Sequence, residues 1–468
     1  MSPLQAQILG NRFEALAREG AQSFPAMSRS PLVIDEGQYA ASLLDGDGRL
    51  IAQDQGEPSH LVAVRDSVVR ALDAFAFNVA EGDVILTGDP YHGGTWGGVL
   101  TVILPVFQGG DMRFVSAVRF AVPDMGGDVP GPYQPAAHEI WQEAMRLTPV
   151  KLFRAGAPQN DLRAYITRNS RAGEVVESDL TAAVATARRM AAGLDDMIES
   201  AGLRAVEEAV AARIAYTAAL ADAALASITA GEAREGPIAV TLKPGKPFLV
   251  ELTASDLASD GPDNLLPSAV HAIVLMQLLF EVIEDVGMCE GLIDAVDIIT
   301  EHGSRVDPSF PAAVSLGWRE TGPILALSLA KASGRPSTIE PAASAIVLFP
   351  EIGSTAAMLP MSVSPGFSPA SELAGADLAS GRRRIPSAEE METAGDLVMS
   401  HRRLTDSGME VLLRTARDGF EAIALGGDRV VEIDGAEPHP RSSVLSLPRG
   451  TSIRFLYPER AGGLGAEQ

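Results

Sequence analysis

The 468-residue sequence predicts an α+β chain of several domains, with antiparallel sheets packed against long helices. Two observations carry this expectation. Short apolar runs separated by Gly- and Asp-rich turns recur over residues 32–53 and 84–122, the pattern of antiparallel hairpins. Apolar side chains then recur at helical spacing, as Val184, Ala187, Met190, Leu194 and Met197, in Ala-rich sequence that runs to Ile228.

In chain order, Pro3 to Phe24 reads as an amphipathic helix, with Ile8, Phe13, Leu16 and Ala17 on its apolar face. Leu32 to Gln53 reads as a hairpin turning at Asp45-Gly46-Asp47-Gly48. Leu61, Val64, Val68, Leu72 and Phe75 place a helix over Ser59–Phe77, with Ser59 as its N-cap and His60 as a surface or capping histidine. Val84 to Leu86 is a strand. Val102–Val106 and Met112–Val122 pair around Gln108-Gly109-Gly110-Asp111. Gly231 to Gly236, followed by Pro237, is the clearest boundary. A hairpin over 238–253 follows it, then a strongly apolar helix, Ser268–Val286, with His271 as a hydrogen-bonded core histidine. The expected domains are 1–235 (α+β), 236–345 (α+β) and 346–468 (β and irregular).

Composition excludes several functions. The net charge is −24, from 61 acidic and 37 basic residues, which argues against nucleic-acid phosphates and against an anionic membrane surface. The single cysteine, Cys289, allows no internal disulfide and no cysteine-rich zinc site, and its apolar neighbours suggest a buried structural thiol. The most apolar run, Ala272–Ile283, is too short for a bilayer core of about 30 Å. The N-terminus has no basic segment followed by a signal-length apolar core, so the cytoplasm is the expected compartment.

The stretch with most chemical content is Asp89 to Thr101, DPYHGGTWGGVLT. Its glycines permit close backbone approach where strand meets turn. The polar groups in or near it are Asp89, Tyr91, His92, Asp124 and Asp128. Asp89 is expected to order the turn. His92 and Asp124, or His138, could hold a cation. No nucleophile elbow, phosphate-binding loop or Cys-x-x-Cys occurs.

Residues 83–107, DVILTGDPYHGGTWGGVLTVILPVF, resemble the hydantoinase B/oxoprolinase family, whose wording here is NDPYxGGTHxxDxxxxxPVF. Further similar stretches are Glu139–Leu152 (EIWQEAMRLTPVKL against EIxQEGxRIPPVKL) and Pro308–Thr321 (PSFPAAVSLGWRET against NPxxPAAVxxGNxET). The resemblance implies a hydantoinase B-like fold. It also implies a B-type subunit of an ATP-dependent hydantoinase or lactamase, or a large subunit of a ketone carboxylase. In that family a metal-binding His-x-x-Asp follows the Gly-Gly-Thr, and a His-His follows the later strand. Trp96 and Val99 stand at the first pair, and Ala121 and Val122 at the second. The family's HxTN segment is absent from residues 362–394.

The chemistry explains why those losses matter. Opening a cyclic amide or carboxylating an enolate builds negative charge on oxygen, which a divalent cation offsets. Trp96, Val99, Ala121 and Val122 offer no ligand, so this chain is expected to bind no metal or other cofactor. ATP and metal would then belong to partners: an A-type ATP-binding subunit and an intact B-type paralogue in a hetero-oligomer. The alternative is an active amidohydrolase with its metal moved to His92 and Asp124.

Overall fold

The computed structural model describes residues 2–337, apart from 35 and 77, and strands and turns between 345 and 458. The chain forms two compact units, one over Met1–Glu340 and one drawn from residues beyond Pro341.

The first unit contains α1 (Pro3–Met27), α2 (Pro31–Ile34), β1 (Tyr39–Asp45), β2 (Leu50–Gln55), α3 (Ala63–Ala74), β3 (Val84–Gly88), β4 (Val99–Gln108) and β5 (Asp111–Ala121). Then come α4 (Ile140–Glu143), β6 (Leu147–Arg154), β7 (Ala157–Pro158), α5 (Asn160–Arg168), α6 (Gly173–Ala201) and α7 (Leu203–Leu225). It is completed by β8 (Gly231–Glu235), β9 (Ile238–Lys243), β10 (Phe248–Glu251), α8 (Pro267–Val286), α9 (Glu290–Ile293), β11 (Val296–Ile299) and α10 (Gly317–Ser333).

Strands β1 to β7 form one antiparallel sheet in the order β2-β1-β5-β4-β3-β6-β7. Successive residues of a strand face opposite sides. Ala41, Leu43, Val102, Val118 and Phe120 therefore pack with Phe13, Phe24, Val176, Leu180 and Met190 of α1 and α6. Ala40, Leu44, Ile103, Val115 and Ala117 face the other way, onto Val64 and Val68 of α3 and onto α8. Both faces are covered, so the strands read as near-continuous apolar runs. The expected packing of strands 32–53 and 84–122 against helices 160–229 is present.

The second core continues into a smaller sheet, β11-β10-β9-β8, where β10 and β11 run parallel. Ile238, Val240, Phe248 and Val250 pack there with Ile273, Leu325 and Leu329 of α8 and α10. Cys289 is buried and unpaired. Among the described residues, no helix is long and apolar enough to cross a membrane.

Several expectations change. Residues 31–34 form a helical turn, because Ser30-Pro31 starts a helix (proline suits the first helical position). Glu57 caps the short turn Pro58–His60 by accepting the Ser59 N–H, so Ser59 is a donor and not the cap. His60 is fully buried, not a surface residue. The Ala-rich helix breaks at Gly202, whose φ of 86° lies outside helical space. Gly231–Glu235, read as a boundary, is the edge strand β8, whose exposed Glu232 and Arg234 alternate with half-buried neighbours.

In the second unit, two four-stranded antiparallel sheets appear among the described residues. Ala345–Pro350, Met361–Val363, Phe420–Leu425 and Leu445–Leu447 form one. Leu397–Thr405, Gly408–Thr415, Val430–Ile433 and Ser452–Pro458 form the other. Residues 364–396, which contain Arg382–Arg384 and most of the region lacking the family's HxTN segment, lie outside the described residues.

Candidate functional site

Strand β3 delivers Asp89 to a tight turn. The Asp89 carbonyl accepts the His92 N–H at 3.1 Å, and the Pro90 carbonyl accepts that of Gly94 at 2.9 Å. Gly93 has φ 85°, and a Cβ there would lie 2.4 Å from the Asp66 carbonyl carbon in α3. Only glycine allows this approach.

The Asp89 carboxylate is fully buried and organises its surroundings. Its Oδ2 accepts from Arg146 at 2.6 Å and lies 2.7 Å from His92 Nδ1. Its Oδ1 accepts the Tyr91 N–H at 3.0 Å. The Arg146 guanidinium also sits 4.9 Å from the Trp141 ring centre and 4.5 Å from that of Phe310. Glu143 reaches the opposite way, and its Oε1 accepts the N–H groups of Val314 and Ser315 at 2.8 and 2.7 Å. Tyr91 donates its hydroxyl to the Ala312 carbonyl at 2.6 Å. Burial, with the nearby Glu143 charge, pushes the Tyr91 phenol well above its usual range. The three stretches carrying the family wording, 83–107, 139–152 and 308–321, therefore converge here.

Beside them opens a cleft of about 910 Å³. Its walls include Arg65, Arg70, His92, Arg146, His302 and Phe310. His92 is 45% exposed there, with Nδ1 held by Asp89 and Nε2 left over. Asp124 is not in the wall. It is tied to Arg171 at 2.9 Å and to the N–H groups of Gly126, Gly131 and Arg171. His138 bonds the Asp260 carbonyl at 2.6 Å. His92 and Asp124 thus serve different neighbours. Among the described residues, no group of three or more His, Cys, Asp or Glu side chains is arranged to hold a metal ion.

The family's ligand positions lie at the far end of the same turn. Val122 donates its N–H to the Gly98 carbonyl at 2.8 Å, so turn and strand end do meet. Val99 pairs with Ala121 across β4 and β5. Trp96, Val99, Ala121 and Leu32 form one buried apolar cluster. The indole stacks on Tyr133, with centroids 5.6 Å apart and planes 26° apart. Val122 belongs instead to the core against α1 and α6. None of these side chains offers a lone pair to a cation, so the positions do not fit the family's metal. Trp96→Ala should cost about 3–5 kcal/mol, because it empties a packed apolar site. Denaturant unfolding would check this, and a cost below 1 kcal/mol would mean the indole does not fill the space (about 1 kcal/mol being typical of any substitution).

Sequence reasoning missed a second polar group. Arg119 is fully buried on β5 without an ion-pair partner among the described residues, and its guanidinium donates to Thr101, Ser67, Thr95 and His60 at 3.0–3.3 Å. Burial pulls its pKa down to about 9. Burial, then the Arg119 charge, holds His60 well below the usual histidine range. The signal was a lone charge inside an apolar strand. His271 is likewise lowered by burial, and its Nε2 has no hydrogen-bond partner among the described residues, contrary to the expected hydrogen-bonded core histidine.

The sequence profile of the hydantoinase B/oxoprolinase family matches residues 2–407. The chain belongs to this family. It is 31% identical over 182 residues to the caprolactamase subunit beta of Pseudomonas jessenii, which covers 39% of this chain and 31% of that subunit. The chain spans less than two thirds of the first curated relatives it matches. The solved structure of the ATP-dependent caprolactamase from Pseudomonas jessenii superposes with a TM-score of 0.83 at 19% identity, covering 98% of this chain and 90% of that one. Nucleotide-free acetone carboxylase gives a TM-score of 0.81 at 13% identity, covering 98% and 75%. These superpositions establish a shared fold.

Proposed function

We propose that this chain is a non-catalytic B-type subunit of an ATP-dependent ketone carboxylase or cyclic-amide hydrolase complex. It works beside an intact B-type paralogue that holds the divalent metal and an A-type subunit that binds ATP. The observation that supports this reading best is the apolar cluster of Leu32, Trp96, Val99 and Ala121, where the family places metal ligands. The likeness to a named beta subunit of a caprolactamase and to acetone carboxylase supports assembly into such a complex. An ATP-dependent assembly of this kind belongs in the cytoplasm. The converging motifs are kept because they hold the fold that partners would recognise.

Co-purification from the native host, with elemental analysis of each chain, tests the reading. The expected result is a metal-free chain bound to a paralogue with intact ligands and to an ATPase. Stoichiometric manganese, zinc or iron in this chain, lost on His92→Ala, would overturn it. Because Ala121 and not Val122 shares the Trp96 cluster, ligand restoration should combine Trp96→His, Val99→Asp and Ala121→His, and should recover metal binding.

A further inference from the structure

We propose that Trp141 and Phe310 form the centre of a docking surface for another subunit, one that presents an apolar side chain ringed by lysines or arginines. The inference rests on the assembly reading above and names the face of this chain that the assembly uses.

Trp141, on α4, is 57% exposed and Phe310 is 47% exposed. Their rings meet edge to face with centroids 5.7 Å apart, so they make one apolar patch and not two scattered side chains. Phe310 lines the cleft beside Asp89, whereas Trp141 lies outside the cleft wall, so the patch extends from the lip onto the open surface. Both rings are held from one side. The Arg146 guanidinium stands 4.9 and 4.5 Å from their centres and is itself fixed on buried Asp89. Tyr91 meets Phe310 edge to face at 5.4 Å and is anchored on the Ala312 carbonyl. Rings fixed in advance lose little freedom when a partner covers them. Rigid, exposed aromatics are the side chains that dominate subunit contacts.

The rim selects the partner. Gln142, next to Trp141, donates to exposed Asp128 at 3.1 Å. Exposed Glu139 opens α4, where Ile140 donates its N–H to the Pro311 carbonyl, beside Phe310, at 2.8 Å. His138 bonds the carbonyl of Asp260, whose side chain is 99% exposed. Three carboxylates thus stand on the loops that frame the rings. Among the described residues, Asp128 and Glu139 have no ion-pair partner, and Asp260 has only the His138 ring at 3.6 Å. Arg146 is neutralised by Asp89. An apolar centre with an acidic rim complements an apolar knob with a basic rim. A two-fold contact between copies of this chain would instead set the carboxylates against one another.

Affinity-tagged full chain expressed in the native host tests the surface, with retained chains identified by mass and their dissociation constant measured. The parent should retain the intact B-type paralogue, the A-type ATPase or both. Trp141→Ser should weaken that association at least about thirtyfold, as loss of a central aromatic does. Asp260→Lys, at a site wholly in water, should weaken it too, and it provides the reading if Trp141→Ser does not fold. Added salt should loosen the parent complex. Tyr216→Ser on α7, at a residue 59% exposed, should change nothing. A full complement of subunits on both Trp141→Ser and Asp260→Lys would overturn the surface and leave the subunit reading standing. A parent chain that purifies alone would overturn both. A homodimer broken by Trp141→Ser would assign the face to a second copy and overturn the proposal.

Discussion

Asp89→Ala is expected to destabilise the first unit by about 3–5 kcal/mol, the cost of breaking a buried ion pair from one side. The carboxylate is wholly buried, and the Arg146 side chain is only 14% exposed. Removing the acid strands that guanidinium between two rings, with no anion to balance it. It also frees the Tyr91 N–H and His92 Nδ1, so the turn loses its internal order. Asp89→Asn should lose less, because the amide keeps the shape and part of the hydrogen bonding. Adding Arg146→Met to Asp89→Asn should cost less than the sum of the two single changes, since no unpaired charge then remains. Equilibrium unfolding in urea measures the parent, the three single variants and the double variant. An Asp89→Ala chain within about 1 kcal/mol of the parent would show that the pair does not hold the turn.

That pair also marks the limit of what the sequence discloses. The turn itself was legible, because glycines and an Asp-Pro after an apolar strand have a local meaning. The β4–β5 hairpin was legible for the same reason, with Gln108-Gly109-Gly110-Asp111 fixing its register. Arg146 lies 57 residues beyond its partner, and Glu143 meets backbone 171 residues away. No local rule connects such positions. The family wording named Glu139–Leu152 as a unit without saying what its charged residues touch. Expecting Asp124 beside His92 was reasonable from the turn's proximity to the strand end. It failed because Arg171, on the loop before α6, takes that carboxylate. Ser59 was misread for a simpler reason: serine is a favoured cap, but Glu57 caps only the short turn Pro58–His60, and α3 starts later, after Val62, with no side-chain cap.

Glu143 should contribute stability that falls as pH rises from about 4.5 to about 8, against the opposite trend of His60 and His271, which burial holds low. Complete burial pushes the Glu143 carboxyl from the ordinary 4.5 up to about 8, against the opposing hydrogen bonds from Ser315 and Val314. The unfolded chain releases this proton near 4.5, whereas the folded chain keeps it until about 8. Between those values the folded state binds more protons, so this contribution declines with pH and levels off above the folded value. Three to four units at about 1.4 kcal/mol each give a decline on the order of 4–5 kcal/mol. Asp179, raised to about 6 by burial against the Arg29 and Ser30 N–H groups, adds to the lower part of the slope. The informative measurement is therefore the difference between the parent and Glu143→Gln. Glutamine keeps an oxygen for the Val314 and Ser315 N–H groups but carries no proton to lose. The variant should gain on the parent steadily between pH 6 and 8, where Asp179 contributes little and the histidines act alike in both proteins, and should be the more stable protein at pH 8. A parent and variant with the same slope over that window would mean that Glu143 ionises without cost, and that the contact between the 139–152 and 308–321 stretches is not closed over a neutral carboxyl.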